Sequence, residues 1–246
     1  SEEGAKEAEA RALKEKAKNQ AAAANAVKKT VHAVEKDIRI REARTRFMPF
    51  IKFTSPDKEA EHDISRSSYE NARHHDAIAR VVEEVEKGEI KFLILTMPPR
   101  HGKTSMLSIK FPAWFSGRHP DQHVVVAAYN NDYAANLGRK VREEVRSPRY
   151  RSVFPEYALK KGSAAADRLE TYKGGQLIFC GRGGSLTGYG ANVLIIDDLI
   201  KGSQEASSQA IRDEAWEWFT QVAMTRRMGM NLVIMTFTRW HADDPI

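Results

Sequence analysis

Apolar residues recur along this chain in two rhythms, and the change between them divides it. Over the first 45 or so residues Ala, Lys, Glu and Arg dominate, with no proline and no glycine after Gly4, a composition that favours helix. Val27, Val31, Val34 and Ile38 fall at steps of four, three and four, which sets them on one helical face. This segment is expected to be either a docked or partly disordered arm or a protein-interaction helix. Residues 47–70 contain Pro49, Pro56 and a polar cluster, and are predicted to form a loop-rich connection. From Ser68 to about Lys87 the helical period returns, with Ile78, Val81, Val82 and Val85 on one face and Gly88 as its stop.

Beyond Gly88 short runs that are apolar throughout take over: Ile90 to Thr96, Val124 to Tyr129, Val193 to Ile196 and Leu232 to Phe237. Helical stretches separate them, from Thr104 to about Phe115, from Asp132 to Arg146 and roughly from Glu205 to Arg226. Such runs suit strands covered on both faces, and the alternation predicts a parallel sheet flanked by helices. Arg168 to Tyr172 and Gln176 to Cys180 form a predicted hairpin across Lys173, Gly174 and Gly175. The expected fold class is α/β, a mainly parallel central sheet flanked by helices with an N-terminal helical extension. The expected organisation is an arm over 1–46 and one domain over 47–246.

Composition changes this picture little. No apolar run is long enough to cross a bilayer, the charged N-terminus lacks the apolar core of a signal peptide, and the single Cys180 allows no intrachain disulfide. A soluble, cytoplasmic protein is the expectation. The net charge of +6 leans towards a polyanionic partner. Arg139, Lys140, Arg142, Arg146, Arg149 and Arg151 crowd one short stretch, which is either a solvated helix face or a contact surface.

The candidate chemistry lies at the strand ends. Met97-Pro98-Pro99-Arg100-His101-Gly102-Lys103-Thr104 fits the phosphate-binding pattern G-x-x-x-x-G-K-[ST], except that Met97 replaces the first glycine. Gly102 lets the backbone approach a phosphate, and the following helix points free N–H groups at the anion. Lys103 would neutralise the β- and γ-phosphates, and the Thr104 hydroxyl would bind Mg²⁺. About 95 residues on, Val193 to Ile196 ends in Asp197 and Asp198. Asp197 would hold the metal's hydration shell, and Asp198 would orient or deprotonate the attacking water. Glu205 is the alternative base. After the last apolar run, Thr236 or Thr238 would sense the γ-phosphate, while Trp240 and His241 suit packing and capping roles.

These pieces together resemble the large terminase subunits of tailed bacteriophages. The likeness rests on residues 97–104, on Phe111-Pro112-Ala113-Trp114, and on the Gly-rich stretch Gly181 to Gly190. It continues through Asp197-Asp198-Leu199-Ile200-Lys201 to Thr238-Arg239-Trp240-His241. It covers roughly residues 70–246 and none of residues 1–45. It implies an ATP- and Mg²⁺-dependent motor domain of the P-loop class, in which Pro99, Arg100, His101, Gly102, Lys103 and Thr104 bind nucleotide. Arg100 would touch the phosphates in cis, Arg139 would be an arginine finger for a neighbouring subunit, and His74 with His75 would lie near the adenine. Thr236 and Thr238 would couple hydrolysis to movement. The implied partners are double-stranded DNA, like subunits in a ring, the portal protein and the small terminase subunit, in the cytoplasm of an infected bacterium. The family's metal-dependent nuclease domain has no acid cluster here, so nuclease activity is expected only in a longer parent protein. The competing readings are a helicase-like ATPase and a nucleotide-binding switch with negligible turnover.

Overall fold

The computed structural model describes residues 2–61, 63–162, 167–184, 186 and 188–243, with the side chains of all of these except residues 2–10, 12, 13 and 17. The first element is a long helix, α1, Glu2–Thr45. The chain divides into two compact units, Ser1–Arg41 and Glu42–Ile246. In the first, Val27, Val31, Val34 and Ile38 do share a helix, and all four are at least half exposed. In the second, burial begins at once: Ala43 is fully buried and its carbonyl accepts the Trp114 indole N–H at 3.1 Å.

The connection predicted over 47–70 instead opens with a buried helix, α2, Phe47–Phe53. Pro49 stands in its first turn, where the missing N–H has no intrahelical acceptor to lose. Phe47, Met48, Phe50, Ile51 and Phe53 are all buried. The Phe47 ring meets Trp114 at 5.3 Å and Phe111 at 5.9 Å, and Phe50 meets Tyr150 at 6.0 Å. The helix is apolar nearly all round, so it lacks the amphipathic period that would have marked it.

The remaining elements are α3 (Arg73–Glu86), β1 (Phe92–Thr96), a π-helical turn (Ser105–Lys110) continuing into α4 (Phe111–Arg118), β2 (His123–Ala128), α5 (Asn131–Arg146) and α6 (Pro148–Val153). Then come β3 (Arg168–Glu170), β4 (Gln176–Gly181), β5 (Ala191–Asp197), α7 (Ser203–Ala206), α8 (Gln209–Glu217) and β6 (Arg227–Phe237). The strands form one sheet in the order β1-β6-β5-β2-β4-β3. All neighbours are parallel except the predicted hairpin β3–β4. Every residue of β5 is buried. One face, carrying Leu194, Ile196, Val233 and Met235, packs on Trp218, Phe219 and Ala223.

Two expectations fail in detail. The β1 run was expected to be covered on both faces, yet β1 is an edge strand whose Phe92 and Ile94 are 42% and 47% exposed. The helix expected over 205–226 is broken into α7, α8, a π-helical turn (Trp218–Ala223) and a 3-10 turn (Met224–Arg226). Arg212 fills the gap between α7 and α8 by donating to the Ala206 carbonyl at 2.6 Å. The wider π turn rotates the chain so that Trp218 and Phe219, adjacent in sequence, are both buried.

Because β1, β2, β5 and β6 run parallel, their C-terminal ends share one edge of the sheet. Loop 97–104, the Tyr129–Asn130 corner, Asp198 and Thr238 all emerge there, in the crevice where open α/β sheets collect ligands.

Candidate active site

The 97–104 loop turns back on itself through two left-handed residues, Arg100 (φ 64°) and Gly102 (φ 86°). A Cβ on Gly102 would lie 2.7 Å from His75 Nε2, so only glycine fits. His75 Nδ1 accepts the Ala72 N–H at 3.2 Å, which leaves the proton of a neutral ring on Nε2, facing the His101 carbonyl at 3.2 Å. His74 Nε2 meets the same carbonyl at 3.3 Å, and His101 Nδ1 meets the Pro99 carbonyl at 2.8 Å. The start of α3 therefore braces the loop from behind.

In front of the loop stand the two acids. Asp197 ends β5 with Ala128 of β2 and Thr236 of β6 as its register neighbours, and it is fully buried. Its Oδ1 accepts the Thr104 hydroxyl at 3.2 Å, while its buried Oδ2 has no partner among the described residues. Burial first, and then repulsion from Asp198, push its pKa up from the usual carboxylate range to about 7. Asp198 takes a left-handed backbone, φ 46°. Its N–H donates to the Thr236 carbonyl at 3.0 Å, and its Oδ1 accepts the Thr238 N–H at 2.7 Å. Its Oδ2 accepts from Lys103 Nζ at 2.8 Å, and the same ammonium donates to Thr238 Oγ1 at 2.6 Å. Lys103 itself is only 5% exposed.

A cavity of about 370 Å³ opens over these groups. Of the residues predicted from sequence, Pro99, Arg100, Gly102, Lys103, Thr104, Asp198 and Thr238 line it, with Asp197 one hydrogen bond beneath. Others lie elsewhere. His74 meets the loop at the His101 carbonyl, and neither it nor His101 lines the cavity. Thr236 is wholly buried in the sheet, its hydroxyl unpartnered among the described residues. Arg139 is exposed on α5 and does not line the cavity. Glu205 is outside as well, accepting the Lys201 N–H at 3.0 Å and standing 3.9 Å from Arg182. Within the Gly181 to Gly190 stretch, Arg182 donates to the Leu199 carbonyl at 2.8 Å; Ser185 and Thr187 lie outside the described residues.

Sequence reasoning missed Tyr129, Tyr133, Ile200 and Lys201, and gave Trp240 a packing role, although all five line the cavity. The signal for the tyrosines was their i, i+4 spacing across the end of β2 and the first turn of α5. Their rings stack at 4.9 Å, and Asn130 Oδ1 caps α5 on the Tyr133 N–H at 2.8 Å. Burial, with the Asp197 charge second, raises the Tyr133 hydroxyl to about 12, so it is a neutral donor at the cavity wall.

None of the curated proteins matches the chain in sequence. Residues 94–245, more than half of the chain, match the family described as terminase large subunit, T4likevirus-type, N-terminal. The chain belongs to that family. Among solved structures it resembles the HK97 bacteriophage large terminase, with a TM-score of 0.51 and 15% identity over 82% of this chain. At that identity the likeness speaks for the fold alone, and this terminase chain spans 39% of the HK97 protein's length. The family match opens inside β1 and takes in the 97–104 loop, the acid pair and Thr238, whereas α1, α2 and α3 precede it.

Proposed function

We propose that this terminase chain hydrolyses ATP with Mg²⁺, as the motor portion of a machine that drives double-stranded DNA into a viral procapsid. The observation that carries the reading is the sharing of one buried ammonium, Lys103 Nζ, between Asp198 and Thr238. In this reading 97–104 is the P-loop (Walker A) and 193–198 the Walker B strand. Phosphate oxygens of ATP compete for the Lys103 proton donors. When Lys103 turns to them, Asp198 Oδ2 is released to accept a proton from the attacking water. Thr238 loses its donor in the same event, so the start of the chain beyond β6 registers the nucleotide. Arg100 and the N–H groups around Gly102 orient the phosphates.

The residues present fit a divalent cation. Thr104 Oγ1 and Asp197 would hold it, because hard oxygen donors meet there and the orphaned Asp197 Oδ2 has lost its hydration without gaining a partner. When bound, Mg²⁺ supplies charge neutralisation for the β- and γ-phosphates.

Asp198 is favoured over Glu205 as base because Asp198 lines the cavity and Glu205 is engaged with Lys201. Arg139, exposed and not lining its own cavity, suits delivery to a neighbouring subunit of a ring. Portal protein, small terminase subunit and duplex DNA are the partners of such a ring in the cytoplasm of the infected bacterium. The His74 and Thr236 roles reduce to support of the loop and of Asp198.

The test is steady-state ATP hydrolysis by the protein, Lys103→Ala and Asp198→Asn, at rising protein concentration with and without linear duplex DNA. We expect Lys103→Ala to lose nucleotide binding. Asp198→Asn should keep binding and lose turnover by roughly 10²- to 10⁴-fold. Unwinding of a forked duplex would favour a helicase instead, and tight Mg²⁺-ATP binding without turnover at any concentration would favour a switch. Failure to bind ATP would remove the proposal.

A further inference from the structure

The basic run between Arg139 and Arg151 does not act as one patch, and the structure separates its members. Arg149 is structural. Its guanidinium donates to the carbonyls of Phe53, Glu61 and Asp63 at 3.2, 2.7 and 3.1 Å and lies over the Phe53 ring. Glu144 is turned inward onto Lys110 at 2.8 Å. What is left outside is one carboxylate, Glu143, among a majority of cations. Arg146 and Arg151 are exposed, and with Lys160 and Lys161 of the following loop they wall an open groove of about 280 Å³. No carboxylate lines this groove among the described residues. Lys160 is partly neutralised by Glu170 at 3.3 Å, whereas Arg146, Arg151 and Lys161 have no anionic partner among the described residues.

Helix ends explain part of this charge. Arg146 and Arg151 close α5 and α6, where a cation is favoured by the helix dipole. Lys160 and Lys161 close no helix, and beyond the Glu170 contact of Lys160 nothing among the described residues offsets the repulsion between them. Open walls and exposed side chains do not suit a small anion, which would be gripped by buried donors. They suit a polyanion that runs past the groove. Duplex DNA carries a phosphate charge about every 1.7 Å of its axis, so the four cations of the groove face several phosphates at once.

We propose that the groove between the C-terminal ends of α5 and α6 and residues 159–162 grips the phosphodiester backbone of duplex DNA, without reading its sequence. The choice of duplex DNA among polyanions rests on the packaging reading; the site itself rests on the groove. The placement has a mechanical consequence. Helix α5 begins at the nucleotide cavity, with Tyr133 in its first turn, and ends in the groove, with Arg146 in its last turn. These two residues are about 20 Å apart on one rigid helix.

The experiment measures affinity for a labelled linear duplex from about 50 to 200 mM salt. The groove variant Arg146→Ala/Arg151→Ala/Lys161→Ala is compared with Lys52→Ala/Lys58→Ala/Arg80→Ala, which removes equal charge from exposed positions elsewhere. We expect the groove variant to bind more weakly, with a salt slope shallower by about 0.9 for each phosphate it no longer neutralises. The control triple should stay near the parent protein, and Arg146→Lys/Arg151→Lys/Lys161→Arg should restore binding. Equal losses in the two alanine triples, or none, would overturn the proposal. So would groove-dependent binding of polyglutamate with no binding of duplex, which would mark an acidic protein partner. Mg²⁺-ATP binding is followed in the same proteins. Groove-dependent DNA binding in a protein that fails to bind ATP would sink the motor reading and leave the groove standing. Normal ATP binding in a groove variant with unaltered DNA affinity would do the reverse.

Discussion

Asp198 occupies a left-handed backbone that glycine would adopt more easily, at a cost of order 1–3 kcal/mol. Bonds from its N–H to Thr236 and to its carboxylate from Thr238 and Lys103 hold it there. Asp197 beside it is held in a different imbalance. Its folded pKa of about 7 lies above the unfolded value, so between roughly pH 4 and pH 7 the folded state binds a proton that the unfolded state has released. Metal-free stability therefore falls as pH rises through that window. Asp197→Asn removes the penalty. We expect it to melt at the parent's temperature near pH 4 and several degrees above it at pH 8, measured by thermal denaturation in chelator. A variant less stable than the parent at pH 8 would count against this account. The same substitution should abolish Mg²⁺-dependent turnover.

At the scale of elements, the helix behind the 97–104 loop is anchored by a buried lysine. Lys110, at the end of the π turn that follows the 97–104 loop, donates to the Thr54 carbonyl at 3.1 Å, to its hydroxyl at 2.9 Å and to Glu144 at 2.8 Å. It thereby ties the ends of α2 and α5 to the helix behind the loop. Lys110→Ala leaves Glu144 buried and unpaired, and we expect a loss of about 3–5 kcal/mol in denaturant unfolding. Lys110→Met/Glu144→Leu should recover much of it; a single mutant as stable as the parent would show the pair to be idle. None of this was legible in the sequence, where Lys110 reads as a surface cation. The period-less run Phe47 to Phe53 was likewise unreadable, because burial on all sides erases the amphipathic signal. The loop, the acid pair and Thr238 were legible because strand ends in a parallel sheet are marked by abrupt changes from apolar to polar residues. Tyr129 and Tyr133 were not, since two tyrosines four apart are as often core as site.

For the whole molecule, the two units carry different burdens. Among the described residues every buried core residue lies from Ala43 onward, whereas Val27, Val31, Val34 and Ile38 of the first unit are exposed. We therefore expect a chain beginning at Glu42 to melt within a degree or two of the full chain. A large fall in melting temperature would mean that α1 stabilises the second unit in a way its exposure does not suggest. The basic run across α5 and α6 was visible in the sequence as six cations, but not its division, because only the fold reveals that Arg149 satisfies three carbonyls.

The sheet ends at β1, and that has a consequence for how the molecule breathes. Lys91 accepts from Val233, and Met97 donates to Phe237, so odd-numbered peptides of β1 face β6 while those of Phe92, Ile94 and Thr96 face outward. Hydrogen exchange should alternate along this strand, with slow amides at Leu93 and Leu95 and fast ones at Phe92, Ile94 and Thr96. Uniform protection would mean that something covers the edge. The 97–104 loop thus hangs from a strand zipped on one side only, and its one zipper is β6, which leads directly to Thr238. Any slackening between these two strands is felt at both the loop and the threonine that shares its lysine, so the two loosen or tighten together.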